Sequence, residues 1–195
     1  MNKEEQLLYL KKIVDDTSIL RKSVIEQLGI QITEIAAVIS GVIGSRGKIL
    51  IAGNGGSAAD ASHFAAEMIV RLSSERNRQA LPAIALSVDL SVITAAGNDY
   101  GFETVFSRQV EGLGNKGDML IVLSTSGNSM NLIKAVQKAR EKGLLTVGLL
   151  GRNGGKLANI VDRALIIPHP STQRIQEEHI FIIHILVELV ESDLV

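Results

Sequence analysis

The chain has 195 residues, 46% of them hydrophobic, with 20 basic side chains against 21 acidic ones and a net charge of −1. That length suits one domain, and the charge balance leaves no basic stripe for nucleic acid and no single-sign tail. The absence of cysteine excludes disulfides, thiolate zinc sites and thiol nucleophiles, and four Phe, two Tyr and no Trp offer few faces on which bases could stack.

The opening MNKEEQLLYLKKIVDD mixes both signs of charge and lacks the apolar core of a signal peptide, so a cytoplasmic address is expected. Leu7, Leu8, Leu10, Ile13 and Val14, then Ile19, Leu20, Val24 and Leu28, recur at helical spacing and predict a helix over 4–27. Gly29 is read as a break, with a second helix over about 31–44 ending at 44-GSRG-47. This helical front end, about 1–45, belongs to no strand–helix repeat, and its apolar stripe is expected to pack on another copy of the chain.

Five apolar runs follow: 48-KILIAG-53, 83-AIALS-87, 118-DMLIVLS-124, 145-LTVGLL-150 and 163-RALIIP-168. Their apolarity is continuous, as in parallel strands covered on both faces. Helical patterns lie at about 57–72, 102–113, 129–142 and 172–192. Strands alternating with helices predict a single α/β domain with a doubly wound parallel sheet. The most apolar run, 180-IFIIHILVELV-190, is shorter than the roughly 20 residues of a membrane span and contains His184 and Glu188, so no membrane partner is expected.

Sites in open parallel sheets lie beyond the C-terminal ends of the strands, and two strand ends carry unusual chemistry. At the first, 53-GNGGSAADASHFAAE-67, Gly53, Gly55 and Gly56 let the backbone turn sharply with exposed N–H groups, and Ser57 stands at the helix start. A helix N-terminus carries about half a positive charge, so this turn can hold a phosphate. An ordinary tight turn would also account for the glycines. The dinucleotide pattern G-x-G-x-x-A is matched, but no acidic residue follows at the required distance, and no G-K-[ST] makes it a P-loop. His63 and Glu67 then share one helix face at i and i+4, among alanines that allow close approach of another element.

At the second strand end, 124-STSGNS-129, Ser124, Thr125, Ser126 and Ser129 surround a glycine where a helix begins. Capping needs one hydroxyl and this turn has four. A hydroxyl-lined anion cup without lysine suits a sugar monophosphate. On the last helix, Gln176 and His184 lie on one stripe, eight residues and about 12 Å of rise apart. They can serve one centre if their side chains lean together or if two subunits contribute.

These segments, with 81-LPAIALSVDLSVITAAGNDYGFETVFSRQVEGLG-114 and 174-RIQEEHIFIIH-184, resemble the phosphoheptose isomerases of the sugar-isomerase (SIS) domain family over nearly the whole chain. The resemblance implies a three-layer α/β/α sandwich around a five-stranded parallel sheet of flavodoxin-like topology. It also implies a homotetramer with active sites at subunit interfaces. The implied activity is conversion of sedoheptulose 7-phosphate to D-glycero-D-manno-heptose 7-phosphate through an enediol, the first step of ADP- or GDP-heptose synthesis for lipopolysaccharide core and other surface glycans. By the same resemblance, Glu67 is the general base and His184 the partner acid/base. Ser57, Ser124, Ser126 and Ser129 hold the phosphate, with the Gly55 and Gly56 turn, while Asn54, Arg71, Asn98, Asp99, Thr125 and Gln176 line the sugar. Zn2+ is implied for some members, held by residues matching His63, Glu67, Gln176 and His184.

There are departures. Gln173 stands where relatives can carry an aspartate, and Gly97 precedes Asn98 and Asp99. The alternative is a non-catalytic SIS tetramer that binds the replication initiator protein. That paralogue lacks the carboxylate and imidazole that this chain has at Glu67 and His184. Other SIS isomerases carry extra domains, for which 195 residues leave no room.

Overall fold

The computed structural model describes residues 1–194. Helix α1 (Lys3–Gly44) is one unbroken helix of 42 residues, about 63 Å long at 1.5 Å per residue. A capping box fixes its start: Asn2 Oδ1 accepts from the Glu5 N–H while the Glu5 carboxylate accepts from the Asn2 N–H. The expected break at Gly29 is therefore corrected. A single interior glycine costs a helix only about 1 kcal/mol relative to alanine, and buried Val24, Ile32, Ile35 and Ile39 on either side of it belong to the core. Before Leu20 the helix buries nothing, and Leu7, Leu8, Leu10, Val14 and Ile19 are exposed. Among the described residues, α1 is the one helix long and apolar enough to cross a membrane, and its second half packs on the C-terminal helix instead.

The strands β1 (Ile49–Gly53), β2 (Ala83–Ala85), β3 (Met119–Ser124), β4 (Leu145–Gly151) and β5 (Arg163–Ile167) fall within the five apolar runs, give or take a residue. They pair in parallel in the order β2-β1-β3-β4-β5, with Ile51 beside Ala85 and Ile121, and Leu123 beside Leu149. Alternate side chains feed two cores. Ile49, Ile51, Met119, Ile121 and Leu149 face α1, α2 (Gly56–Ile69) and α6 (Thr172–Leu194). Leu50, Ala52, Leu120, Val122 and Leu150 face α3 (Leu90–Tyr100), α4 (Val105–Leu113) and α5 (Met130–Glu141). Both faces are covered, which is why the strands read as continuous rather than alternating apolar runs.

Helix α3 was not expected from the sequence. Asp89 caps it by accepting from the Val92 N–H at 3.0 Å, which offsets the poor propensity of its β-branched start. The order 2-1-3-4-5 reverses direction between β1 and β3, so a crevice opens above the C-terminal ends of these two neighbours. Both glycine- and serine-rich turns lie there.

Candidate active site

The turn after β1 needs its glycines. Gly55 has φ 55° and ψ −122°, a conformation closed to other L-residues, and a Cβ on Gly53 would meet the Ser57 carbonyl oxygen at 2.2 Å. The turn after β3 needs Gly127, whose φ is 65° and where a Cβ would meet the Gly154 carbonyl oxygen at 1.9 Å, so the loop after β4 is pressed against it. A reciprocal amide pair joins the two turns. Asn54 Nδ2 donates to Asn131 Oδ1 at 3.0 Å, and Asn131 Nδ2 returns a bond to Asn54 Oδ1 at 2.8 Å. Asn131 is the second residue of α5, so the pair holds the starts of α2 and α5 side by side.

Neither start carries a side-chain cap, whereas Asn2 and Asp89 cap α1 and α3. Two uncapped helix N-termini thus converge on one crevice with their partial positive charges and free N–H groups. Ser57 is buried at the first and Ser129 stands at the second. Ser124 Oγ and Ser126 Oγ accept from the N–H groups of Gly127 and Asn128, at 3.0 and 3.2 Å, and so shape the loop. Thr125 lies between them, half-buried.

From this cup, α2 and α6 run alongside each other in the same direction. A Cβ on Gly56 would sit 2.1 Å from Gln176 Nε2, so the glutamine amide lies directly on the first residue of α2. One turn on, the Gln176 side chain faces the Asp60 carboxylate. Burial pushes the Asp60 carboxyl above its ordinary range, against the opposing pull of Gln176 and His63, and its Oδ2 has no partner. Next, His63 Nε2 meets His184 Nε2 at 2.9 Å with the rings edge to face, and Glu67 Oε1 lies 3.6 Å from His63 Nε2. Glu67 Oε2 is buried without a partner. The His63 side chain is 41% exposed and that of Glu67 18%, so solvent reaches the pair.

One chain therefore brings together Asn54, Gly55, Gly56, Ser57, Ser124, Thr125, Ser126, Ser129, Gln176, His63, Glu67 and His184. Asp60 and Asn131 join them, both missed from the sequence. Asp60 was legible: with His63 and Glu67 it completes an i, i+3, i+7 stripe. Asn131 was not, because nothing local announces a partner 77 residues away. Arg71, Asn98 and Asp99 are not gathered in. Arg71 is exposed beyond α2, while Asn98 and Asp99 bond each other on an exposed part of α3, in the opposite layer.

The donor set fits zinc in kind: two imidazoles, a carboxylate and an amide oxygen. The imidazole and carboxylate spacings are close as well, since ligands around a tetrahedral zinc at about 2.05 Å stand roughly 3.3 Å apart, and the His63–His184 and His63–Glu67 separations bracket that value, while the Gln176 amide lies nearer the cup, against Gly56. Among the described residues the imidazoles and carboxylates form a chain rather than converging three at one point.

Residues 13–151 match the model of the SIS domain family. The chain is 60% identical over 147 residues to the phosphoheptose isomerase of Helicobacter hepaticus, covering 75% of this chain and 74% of that protein. It is 48% identical over 183 residues to that of Aquifex aeolicus, covering 94% and 95%. In three dimensions it is similar to the phosphoheptose isomerase of Neisseria gonorrhoeae, with TM-score 0.89, 42% identity and coverage of 96% and 99%. The likeness to that of Francisella tularensis has TM-score 0.91 at 34% identity, covering 96% and 98%.

Proposed function

This chain belongs to the phosphoheptose isomerases of the SIS-domain family, and on that premise we propose how its side chains carry the reaction. The protein is an aldose–ketose isomerase that converts sedoheptulose 7-phosphate to D-glycero-D-manno-heptose 7-phosphate, the entry to heptose-nucleotide synthesis. A non-catalytic initiator-binding role is not favoured beside relatives of this identity.

The phosphate is the handle. It sits between the uncapped starts of α2 and α5, taking N–H groups from Gly56, Ser57 and the first turn of α5, and the hydroxyls of Ser57 and Ser129. This convergence of two uncapped helix ends is the observation that carries the reading. Binding energy there positions the remote end of the sugar. Ser57 and Glu67 are ten residues apart, roughly 15 Å of helix rise, and side chains on a helix lean back toward its N-terminus. An extended seven-carbon phosphate of roughly 10 Å thus reaches from the cup to the carboxylate.

Glu67 takes the proton from C1 of the ketose, giving the enediol, and returns it to C2. Its free Oε2 is the oxygen available for this. His184 moves the proton between the oxygens on C1 and C2, and His63, in contact with both, fixes their spacing. Asp60 orients Gln176 toward the sugar hydroxyls. Zinc belongs to the proposal: His63, Glu67, Gln176 and His184 would hold it, and bound there it would polarise the substrate oxygens.

The half-exposed His63 must be shielded from water for an enediol to survive. We assign that shielding, and Arg71, Asn98 and Asp99 as further sugar contacts, to neighbouring copies in a homotetramer. The exposed apolar half of α1 supplies the contact surface. A cytoplasmic location is proposed with it, where phosphorylated sugars are made and used.

The test is incubation with sedoheptulose 7-phosphate, followed by NMR of the anomeric signals, beside Glu67→Gln. Product from the wild type and none from the variant is expected. An inactive wild type that still binds phosphate would overturn the reading.

A further inference from the structure

The α2 end that carries Glu67 is held by a side chain outside the site. Arg78 lies in the segment between α2 and β2, yet its side chain is only 2% exposed. Its Nη2 donates to the Glu67 carbonyl at 2.7 Å, and its Nη1 to the Met68 carbonyl at 2.8 Å and the Gln79 carbonyl at 3.0 Å. Its Nε donates to Glu191 Oε1 at 2.8 Å, and Glu191 is 1% exposed. The same carboxylate oxygen accepts from the Leu72 N–H at 3.3 Å. Glu191 is seven residues beyond His184 on α6, two turns along the same face.

A helix C-terminus leaves its last four carbonyls without intrahelical donors, and a cation there also meets the negative end of the dipole. Arg78 takes two of those carbonyls, one belonging to Glu67 itself. The backbone of Glu67 is thereby pinned while its carboxylate keeps one oxygen, Oε2, without a partner. Through Glu191 the same guanidinium ties the end of α2 to α6, which carries His184. A planar fork with five donors can serve these acceptors at once, and an ammonium cannot.

We propose that the buried Arg78–Glu191 pair is a positioning clamp that sets Glu67 against His184. It rests on the isomerase reading of the same site. The clamp lies at the opposite end of α2 from the phosphate cup, ten residues from Ser57, so it acts on turnover and not on anchoring. A displacement of about 1 Å at a reacting group lowers rates roughly 100-fold.

The experiment compares wild type, Arg78→Lys and the double variant Arg78→Met/Glu191→Met. The double variant replaces both buried charges by chains of similar volume, an exchange that folded proteins often tolerate. Expected are a fall in kcat of roughly 100-fold in both variants, KM and the inhibition constant of inorganic phosphate within about twofold of wild type, and faster amide exchange confined to residues 66–72. Wild-type kcat in either folded variant overturns the clamp. So does a parallel loss of phosphate affinity, or failure of both variants to fold, since each makes the pair a general structural element. An inactive wild type would overturn the isomerase reading instead, and the exchange pattern would still report on the clamp.

Discussion

Two adjacent glycines should fail in different ways when replaced by alanine. A Cβ on Gly56 would lie 2.1 Å from Gln176 Nε2 and 2.7 Å from its Cδ and Oε1. Ordinary carbon contacts are about 3.5 Å, so the amide must retreat by roughly 1.4 Å. It is the far end of a flexible side chain and can do so. Drawing it away from the Asp60 carboxylate that it favours costs about 1 kcal/mol, and alanine in a helix recovers up to about 1 kcal/mol over glycine. The two nearly cancel, and Tm should stay within about 4 °C of wild type. Activity should not survive so well: displacing a group proposed to orient the sugar predicts a 10- to 100-fold fall in kcat/KM, on the order set by misplacement of about 1 Å. Gly55→Ala is the contrast. Nothing lies within 4 Å of its would-be Cβ, but φ 55° and ψ −122° remain, and such backbone strain costs about 1–3 kcal/mol. That variant should melt lower. Thermal melts and steady-state kinetics on both variants decide it. Gly56→Ala with wild-type turnover, or with a melting temperature as low as that of Gly55→Ala, would refute the placement of Gln176.

Further outcomes follow from other parts of the structure. Burial lowers the His179 imidazole from 6.5 to about 4, and neither ring nitrogen has a hydrogen-bond partner. The unfolded chain therefore binds the proton first as pH falls, so stability present above pH 6.5 drains away toward pH 4. Melts across that window should show it, and His179→Gln should flatten the slope; an unchanged slope would contradict it. Ser57→Ala and Ser129→Ala should each raise KM about 10-fold with little change in kcat, because each removes one hydroxyl proposed to hold the phosphate, worth about 1.5 kcal/mol when bonded to an anion. A fall in kcat alone would place those hydroxyls elsewhere. Metal analysis of the purified protein should find about one zinc per chain, lost in His63→Gln, while a metal-free wild type that turns over fully would remove zinc from the account.

Much of this was legible because it is local. The strands announced themselves by continuous apolar runs, since both faces are covered, and the two turns of the candidate site by glycines and hydroxyls at strand ends. The helix errors have one cause. Gly29 looked like a terminus because glycine is a poor helix former, but packing of Ile32, Ile35 and Ile39 on the core outweighs a cost of about 1 kcal/mol. Val92, Ile93, Thr94 and Gly97 hid α3 for the same reason, and the Asp89 cap lay too near a strand end to be recognised. Relations across the chain were beyond local reading. Gln176 on Gly56, Asn54 with Asn131, and Arg78 with Glu191 join residues 77 to 120 positions apart, and only the topology brings them together. Along α6, Gln176 lies against Gly56 while His184 meets His63 two turns of α2 further on, so a metal shared by both needs the amide to lean toward the imidazoles.

In the proposed reaction Glu67 moves a carbon-bound proton while the cup holds the phosphate. The most direct measurement is the reaction run in D2O, with NMR of both product and recovered substrate. Proton transfer through an enediol predicts deuterium at C2 of the aldose and at C1 of the ketose, with neither label nor turnover in Glu67→Gln. Product formed at full rate by Glu67→Gln, labelled or not, would contradict the role given to Glu67.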